Sequence, residues 1–255
     1  IAGRVIAGSG GTRNSTGYDA DAEAHFARAT NITDDTLKDD INDLIVGLKA
    51  DGIWTKIDVL CVVHDNEDDS LLNLRGPSAG PDSTCAATFT ANFGFLANTT
   101  SDVEMGVSES SANLYGQYDG HIFCYIRTVS ALFNVTMGTA AFDTYIYNNG
   151  FNTNWIMQPQ GASMTFGSNA SAGFLGCSVT AIDARNARQN DTTATNTTST
   201  AYSTLSTTNI TLPATGSALL VNSCWGIGAG LTTTELGNYE DRIRTFAIAR
   251  GFDVY

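Results

Sequence analysis

The feature that most constrains this chain is a change in the spacing of its apolar residues. In "ITDDTLKDDINDLIVGLKADG", Leu37, Ile41, Leu44, Ile45 and Leu48 fall at i, i+4, i+7, i+8 and i+11, one face of a helix. Thr33 can cap it, Asp34 and Asp35 suit the positive end of its dipole, and Gly52 is a natural stop. A shorter helix is expected just before it in "YDADAEAHFARAT", anchored by Phe26. "IWTKIDVLCVV" then passes from an amphipathic turn into a buried strand. From about residue 70 the runs are short, have period two and are broken by Gly, Asn and Pro, as in "HIFCYIRTV", "FDTYIYNNG", "FLGCSVTAI" and "SALLVNSCW". Many short strands with turns at this spacing predict a two-sheet sandwich or jelly roll.

Turn and cap chemistry sharpen that reading. Asn149-Gly150 after "TYIY" is a two-residue hairpin signal, because a type I′ turn needs positive φ at both positions. The tract "ARQNDTTATNTTSTAYSTLSTTNITL" reads either as polar-faced strands or as a long exposed loop. Near the end, Thr232 and Glu235 form a capping box with Leu231 and Leu236 in the staple positions. Leu236, Tyr239, Ile243, Phe246 and Ala247 then line one face of a terminal helix that Gly251 closes. Residues 1–18, rich in Gly, Ser and Thr, read as an extended arm, 19–57 as a helical lead-in and 58–255 as the β domain with its terminal helix.

The chemistry that can be excluded follows from charge and spacing. A formal net charge of −13 repels phosphate backbones, so nucleic acid is not an expected partner. No apolar run approaches the ~20 residues of a membrane-spanning helix. Gly226, Gly228 and Gly230 follow a strand and precede a helix, as in a dinucleotide site, but the sixth position counted from Gly226 is Leu231 and no Walker lysine is present. Small residues there permit close backbone packing instead. "HDNEDDS" resembles half of a calcium loop but lacks its glycine and bidentate glutamate, so it reads as a solvated acidic turn. Glu104 and Glu109 are five apart, on opposite faces of a strand, and the three histidines are scattered. No catalytic residue, metal ligand or cofactor is expected. The five cysteines form no CxxC pair and read as buried free thiols. The chain begins at Ile1, so it is expected to be processed or part of a longer product.

Exposed aromatics in polar, turn-rich surroundings can stack on sugar rings, and Tyr115, Tyr118, Tyr145, Tyr147 and Trp155 are the candidates for glycan binding. "DAEAHFARATNITDDTLKDDINDLIVGLKADGIWTKIDVLCVV", followed by "DSLLNLRGP", "TFTANFGF" and the closing "IGAGLTTTELGNYEDRIRTFAIARG", resembles a family of tailed-phage virion proteins. The resemblance covers about Asp19 to Tyr255. It implies a helical lead-in before a concanavalin A-like, laminin-G-like jelly roll. It also implies a non-enzymatic structural role in a virion assembled in the bacterial cytoplasm, as capsid decoration or in tail or fibre, with binding of host-surface glycans. Attachment through the N-terminal arm and a homo-oligomer, as a trimer, are the expected assembly. A glycan-binding adhesin of a secreted protein and a polysaccharide-cleaving enzyme are the alternatives.

Overall fold

The computed structural model describes residues 17–97, 102–128, 134–138, 144–149, 154–158, 164–166, 172–198, 204–212, 215–216 and 220–254. Its helices are α1 (Ala20–Phe26), α2 (Asp35–Ala50), the single turn α3 (Glu67–Ser70) and α4 (Thr233–Ala249). The strands begin with β1 (Ile57–Val62), β2 (Thr84–Cys85), β3 (Thr88–Thr90), β4 (Gly94–Ala97), β5 (Val103–Ser108), β6 (Gly120–Thr128), β7 (Asn134–Gly138) and β8 (Tyr145–Asn149). They continue with β9 (Asn154–Gln158), β10 (Met164–Phe166), β11 (Gly173–Ala181), β12 (Ala184–Gln189), β13 (Thr192–Asn196), β14 (Asn209–Leu212), β15 (Thr215–Gly216) and β16 (Leu220–Gly228).

Two antiparallel sheets form the sandwich that the period-two runs predict. The inner sheet runs β13-β12-β11-β6-β16-β4-β3, with β1 also paired to β16. The outer sheet runs β10-β9-β8-β7-β14-β5-β2, with β15 paired to β7. Between them lies one core, in which Ile122, Cys124, Leu175, Cys177, Trp225 and Ile227 of the inner sheet meet Val103, Met105, Met137, Ile146 and Ile210 of the outer.

The helices make a third layer. Leu60, Val62, Phe123, Tyr125, Phe174 and Cys224 project from the opposite face of the inner sheet into a second core. Leu37, Ile41, Leu44, Ile45 and Leu48 of α2 and Leu236, Tyr239, Ile243, Phe246 and Ala247 of α4 cover them. Both helical faces read from the sequence are therefore buried as expected. Strands β1, β6 and β11 are buried along nearly their whole length, not on alternate residues. A sheet covered on both sides needs apolar residues on both sides.

Local details confirm some expectations and correct others. The Thr232–Glu235 capping box is formed, with both reciprocal hydrogen bonds present. Asp34, not Thr33, caps α2 by accepting from the Thr36 N–H at 2.9 Å. In α1 the buried side chains are Ala22 and His25, while Phe26 packs only partly against the second core. Gly150 lies outside the described residues, but Asn149 is itself paired with Asn154, so the β8–β9 connection is longer than a two-residue turn. Two-residue connections are described at Gln189-Asn190-Asp191-Thr192, with φ of 42° at Asn190 and 68° at Asp191, and at Ala181-Ile182-Asp183-Ala184. The Thr-rich tract thus holds the end of β12 and all of β13 and β14, while its residues 197, 198 and 204–208 lie outside any strand.

The glycines after "SALLVNSCW" are packing residues. A Cβ on Gly226 would sit 2.7 Å from the Val59 carbonyl oxygen. One on Gly228 would strike the Lys56 carbonyl, and one on Gly230 the Val179 carbonyl. In "DSLLNLRGP", buried Asn73 accepts from the Leu60 and Arg75 N–H groups, both at 3.0 Å, and donates to the Asp58 carbonyl at 2.8 Å. That amide fastens the loop after α3 to β1.

The buried histidines make the fold acid-sensitive. Burial, helped by Arg28 and His64 and opposed by Asp82, pushes His25 from an ordinary value of 6.5 down to about 3. Burial lowers His121 to about 4 against the pull of the Ala229 carbonyl. The unfolded chain takes up these protons near pH 6.5 and the folded chain refuses them, so their contribution is complete above that pH. It is lost as pH falls toward 4, by about 1.4 kcal/mol per pH unit per histidine. We expect Tm to be level above pH 7 and to fall from pH 6.5 to 4.5. His25→Leu, which removes two ring nitrogens without partners, should flatten that slope. A slope unchanged by the substitution would contradict the assignment.

Candidate functional site

The site arises where the helix layer stops. Ser178, Asn186 and Thr195 are successive cross-strand partners on β11, β12 and β13, so they share one face of the inner sheet, the face toward the helices. Ser178 Oγ accepts from the Leu231 N–H at 2.7 Å, and Asn186 Nδ2 donates to the Leu231 carbonyl at 3.0 Å. The two side chains hold both backbone groups of the residue just before the cap of α4. From there α4 runs back across the sheet, meeting β12 through Glu240 and Arg188, and leaves Thr192, Thr193 and Thr195 of β13 exposed.

An open groove of about 350 Å³ remains, lined among others by Thr180, Asp183, Asn186, Thr195, Thr232 and Thr233. The threonines and Asp183 are exposed, while Asn186 is only 4% exposed and forms the floor. Asn186 Oδ1 has no hydrogen-bond partner among the described residues, although its atom is buried. A buried amide oxygen of that kind is an acceptor waiting for a donor.

The hairpin wall is fixed from behind. Glu240 of α4, wholly buried, accepts from Arg188 Nε and, at 2.8 Å, from the Asp191 N–H at the β12–β13 turn. Arg185, 2% exposed, points its guanidinium at the carbonyls of Ile182 and Thr198, the latter at 3.0 Å. Burial lowers its pKa, and neighbouring Tyr118 and Asp183 offset this. Tyr118, outside the groove's lining, is half-buried and has a φ of 62°. A non-glycine residue held in that region is a local cost the surroundings must impose.

The aromatic candidates separate cleanly. Tyr115 does not offer a ring to solvent. It is 5% exposed within the inter-sheet core, and its hydroxyl lies 3.1 Å from Thr144 Oγ1. The reason is Gly120, where any side chain would overlap the Tyr115 ring. Tyr145 is half-buried on β8 of the outer sheet, far in the topology from the groove. Tyr147 and Trp155 belong to β8 and β9, and their side chains lie outside the described residues.

The carboxylates considered as a pair are apart. Glu104 is exposed on β5, whereas Glu109 is fully buried and accepts from the Ser206 N–H at 2.9 Å. In "HDNEDDS", Asp65, Glu67 and Asp68 are exposed, but Asp69 is buried and accepts from the Asn31 N–H at 2.8 Å. The acidic turn is thus partly structural. Among the described residues no group of three or more His, Cys, Asp or Glu is placed to hold a metal ion. All five cysteines are free, four of them buried and Cys85 half-buried.

No protein-family model matches the chain, and no curated protein matches it. Solved structures superpose on it. A mutant HCR/D superposes with a TM-score of 0.50 at 12% identity, over 74% of this chain and 53% of that one. The sialidase of Trypanosoma rangeli gives 0.51 at 9% identity, over 73% of this chain and 33% of that one. Domain 4 of an extracellular arabinanase from Geobacillus stearothermophilus, solved with arabinotriose, gives 0.41 at 12% identity, over 73% of this chain and 98% of that one. The chain thus spans about half of the first and a third of the second.

Asn186 was not among the residues expected from the sequence. Asn186→Ala leaves the Leu231 carbonyl without its side-chain donor, which costs about 1–3 kcal/mol when a buried group loses its partner. We expect a lower Tm and faster amide exchange over 231–236. Protection there equal to that of the parent protein would show that the clamp is dispensable.

Proposed function

We propose that the chain is a non-catalytic glycan-binding module, and that the groove between the β12–β13 hairpin and the start of α4 is its binding site. The observation that carries this reading is the groove's lining: threonine hydroxyls, Asp183 and a buried amide oxygen without a partner. Sugars present hydroxyls that both donate and accept, and such a surface answers them with short, rigid polar side chains at low entropic cost. We assign the ring for an apolar sugar face to Tyr118, an electrostatic neighbour of the lining residue Arg185. A fold also carried by a sialidase is compatible with such a ligand.

The wider setting we propose is a phage virion, as capsid decoration or part of the tail or fibre, on the strength of the sequence resemblance. Residues 1–18 would then attach the module to other virion proteins, with the module as a homotrimer. Mass spectrometry of purified source particles should find this chain; particles without it would remove the setting and leave the groove untouched.

A glycan array with purified protein tests the binding itself. Thr195→Arg places a long side chain in the groove from an exposed edge position and should reduce binding at least tenfold with Tm unchanged. Tyr118→Ala should weaken it severalfold. Tyr145→Ala, on the other sheet, should leave it as it was. Binding that survives Thr195→Arg and disappears with Tyr145→Ala would move the site to the outer sheet.

A further inference from the structure

We infer that the glycan held in this groove is uncharged, and that sialylated and uronic-acid glycans are excluded from it; the inference rests on the glycan-binding reading above. Recognition of an acidic sugar needs an available cation or an unoccupied cluster of N–H donors. The start of α4 and the cations around the groove are engaged by the protein's own acceptors.

The first source is the start of α4, which borders the groove through Thr232 and Thr233. Its positive end is where a carboxylate ligand would bind. The helix's own Glu235 occupies it, accepting from the Thr232 N–H at 2.9 Å and the Thr232 hydroxyl at 3.0 Å. Burial opposes that charge, but Lys56 and Thr232 outweigh it and hold Glu235 below the usual carboxylate range.

The second source is the set of cations around the groove. Lys56 Nζ lies 2.7 and 2.9 Å from the two Glu235 oxygens. Arg188 binds Glu240, Thr193 Oγ1 at 3.0 Å and Asp191 at 3.4 Å. Arg185 also lines the groove, but it is 2% exposed and its guanidinium donates to two carbonyls. What faces the ligand is exposed Asp183, an anion, within a chain of net charge −13. An acidic glycan entering here would lose its water, meet a like charge and find no exposed counter-ion. A neutral glycan meets an acceptor at Asp183 and hydroxyls along both walls, above the buried Asn186 amide.

The test is an array carrying neutral, sialylated and uronic-acid oligosaccharides, followed by titration of the best binder in 20 and 500 mM NaCl, with Thr195→Met, which fills the groove without adding charge, as the groove control. We expect neutral glycans to lead acidic ones by at least tenfold, with affinity changing less than twofold between the two salt concentrations. Asp183→Lys should admit acidic glycans while the neutral ones still bind. Acidic glycans that bind best, weaken with salt and are lost in Thr195→Met would overturn the inference and keep the site. Binding to none of the arrayed glycans, or binding indifferent to Thr195→Met, would overturn the site reading and the inference with it.

Discussion

The inner sheet is buried on both faces, and the rest of the molecule follows from that constraint. Its central strands must be apolar on each side, because one side meets the outer sheet and the other meets the helices. The helix layer in turn needs two helices from opposite ends of the chain. Phe123, Phe174 and Tyr239 form the contact between them and the sheet, with ring centroids 5.3 Å apart for Phe123–Phe174 and 4.5 Å for Phe123–Tyr239. Ion pairs such as Arg242–Asp51 at 2.7 Å join α4 to the end of α2. Arg242 is 39% exposed, so pairs of this kind contribute little beside the apolar burial and mainly set the alignment of the helices.

Where that layer ends decides where a ligand could enter. β16 is squeezed between β1 and β6, and only glycine fits at Gly226 and Gly228 under the carbonyls of the neighbouring backbone. The chain leaves the strand through Gly230, whose N–H donates to Asp119 at 2.7 Å, and reaches Leu231 already positioned. Ser178 and Asn186 then grip Leu231 and start α4 over β11. The edge strand β13 is left outside the cover, short and uncharged, as one wall of the groove. The edge is protected from pairing with other chains by its length and by the tight turn that precedes it.

Much of this architecture was legible, and the groove was not. Leu231, Thr232, Glu235 and Leu236 announced the start of α4 because capping is a local code, readable within five residues. The apolar face of α2 was readable for the same reason. Asn186 was not, since its partner Leu231 is 45 residues away and nothing in "ARNAR" distinguishes an inward amide from an exposed one. The Asn190-Asp191 turn was hidden in a Thr-rich tract where the stronger Asn-Gly signal drew attention elsewhere. Tyr115 looked exposed amid polar neighbours, yet the missing side chain of Gly120 makes room for its ring in the core. Polar context predicts exposure only until a specific neighbour opens a cavity.

The most direct test of the account is amide chemical-shift mapping of the labelled protein during titration with a neutral oligosaccharide that binds it. The account predicts shifts concentrated at Asp183, Asn186, Thr195 and Thr232, with the Asn186 side-chain amide among the largest. Shifts confined to β5, β8 and β14 of the outer sheet, with the groove residues unmoved, would contradict it.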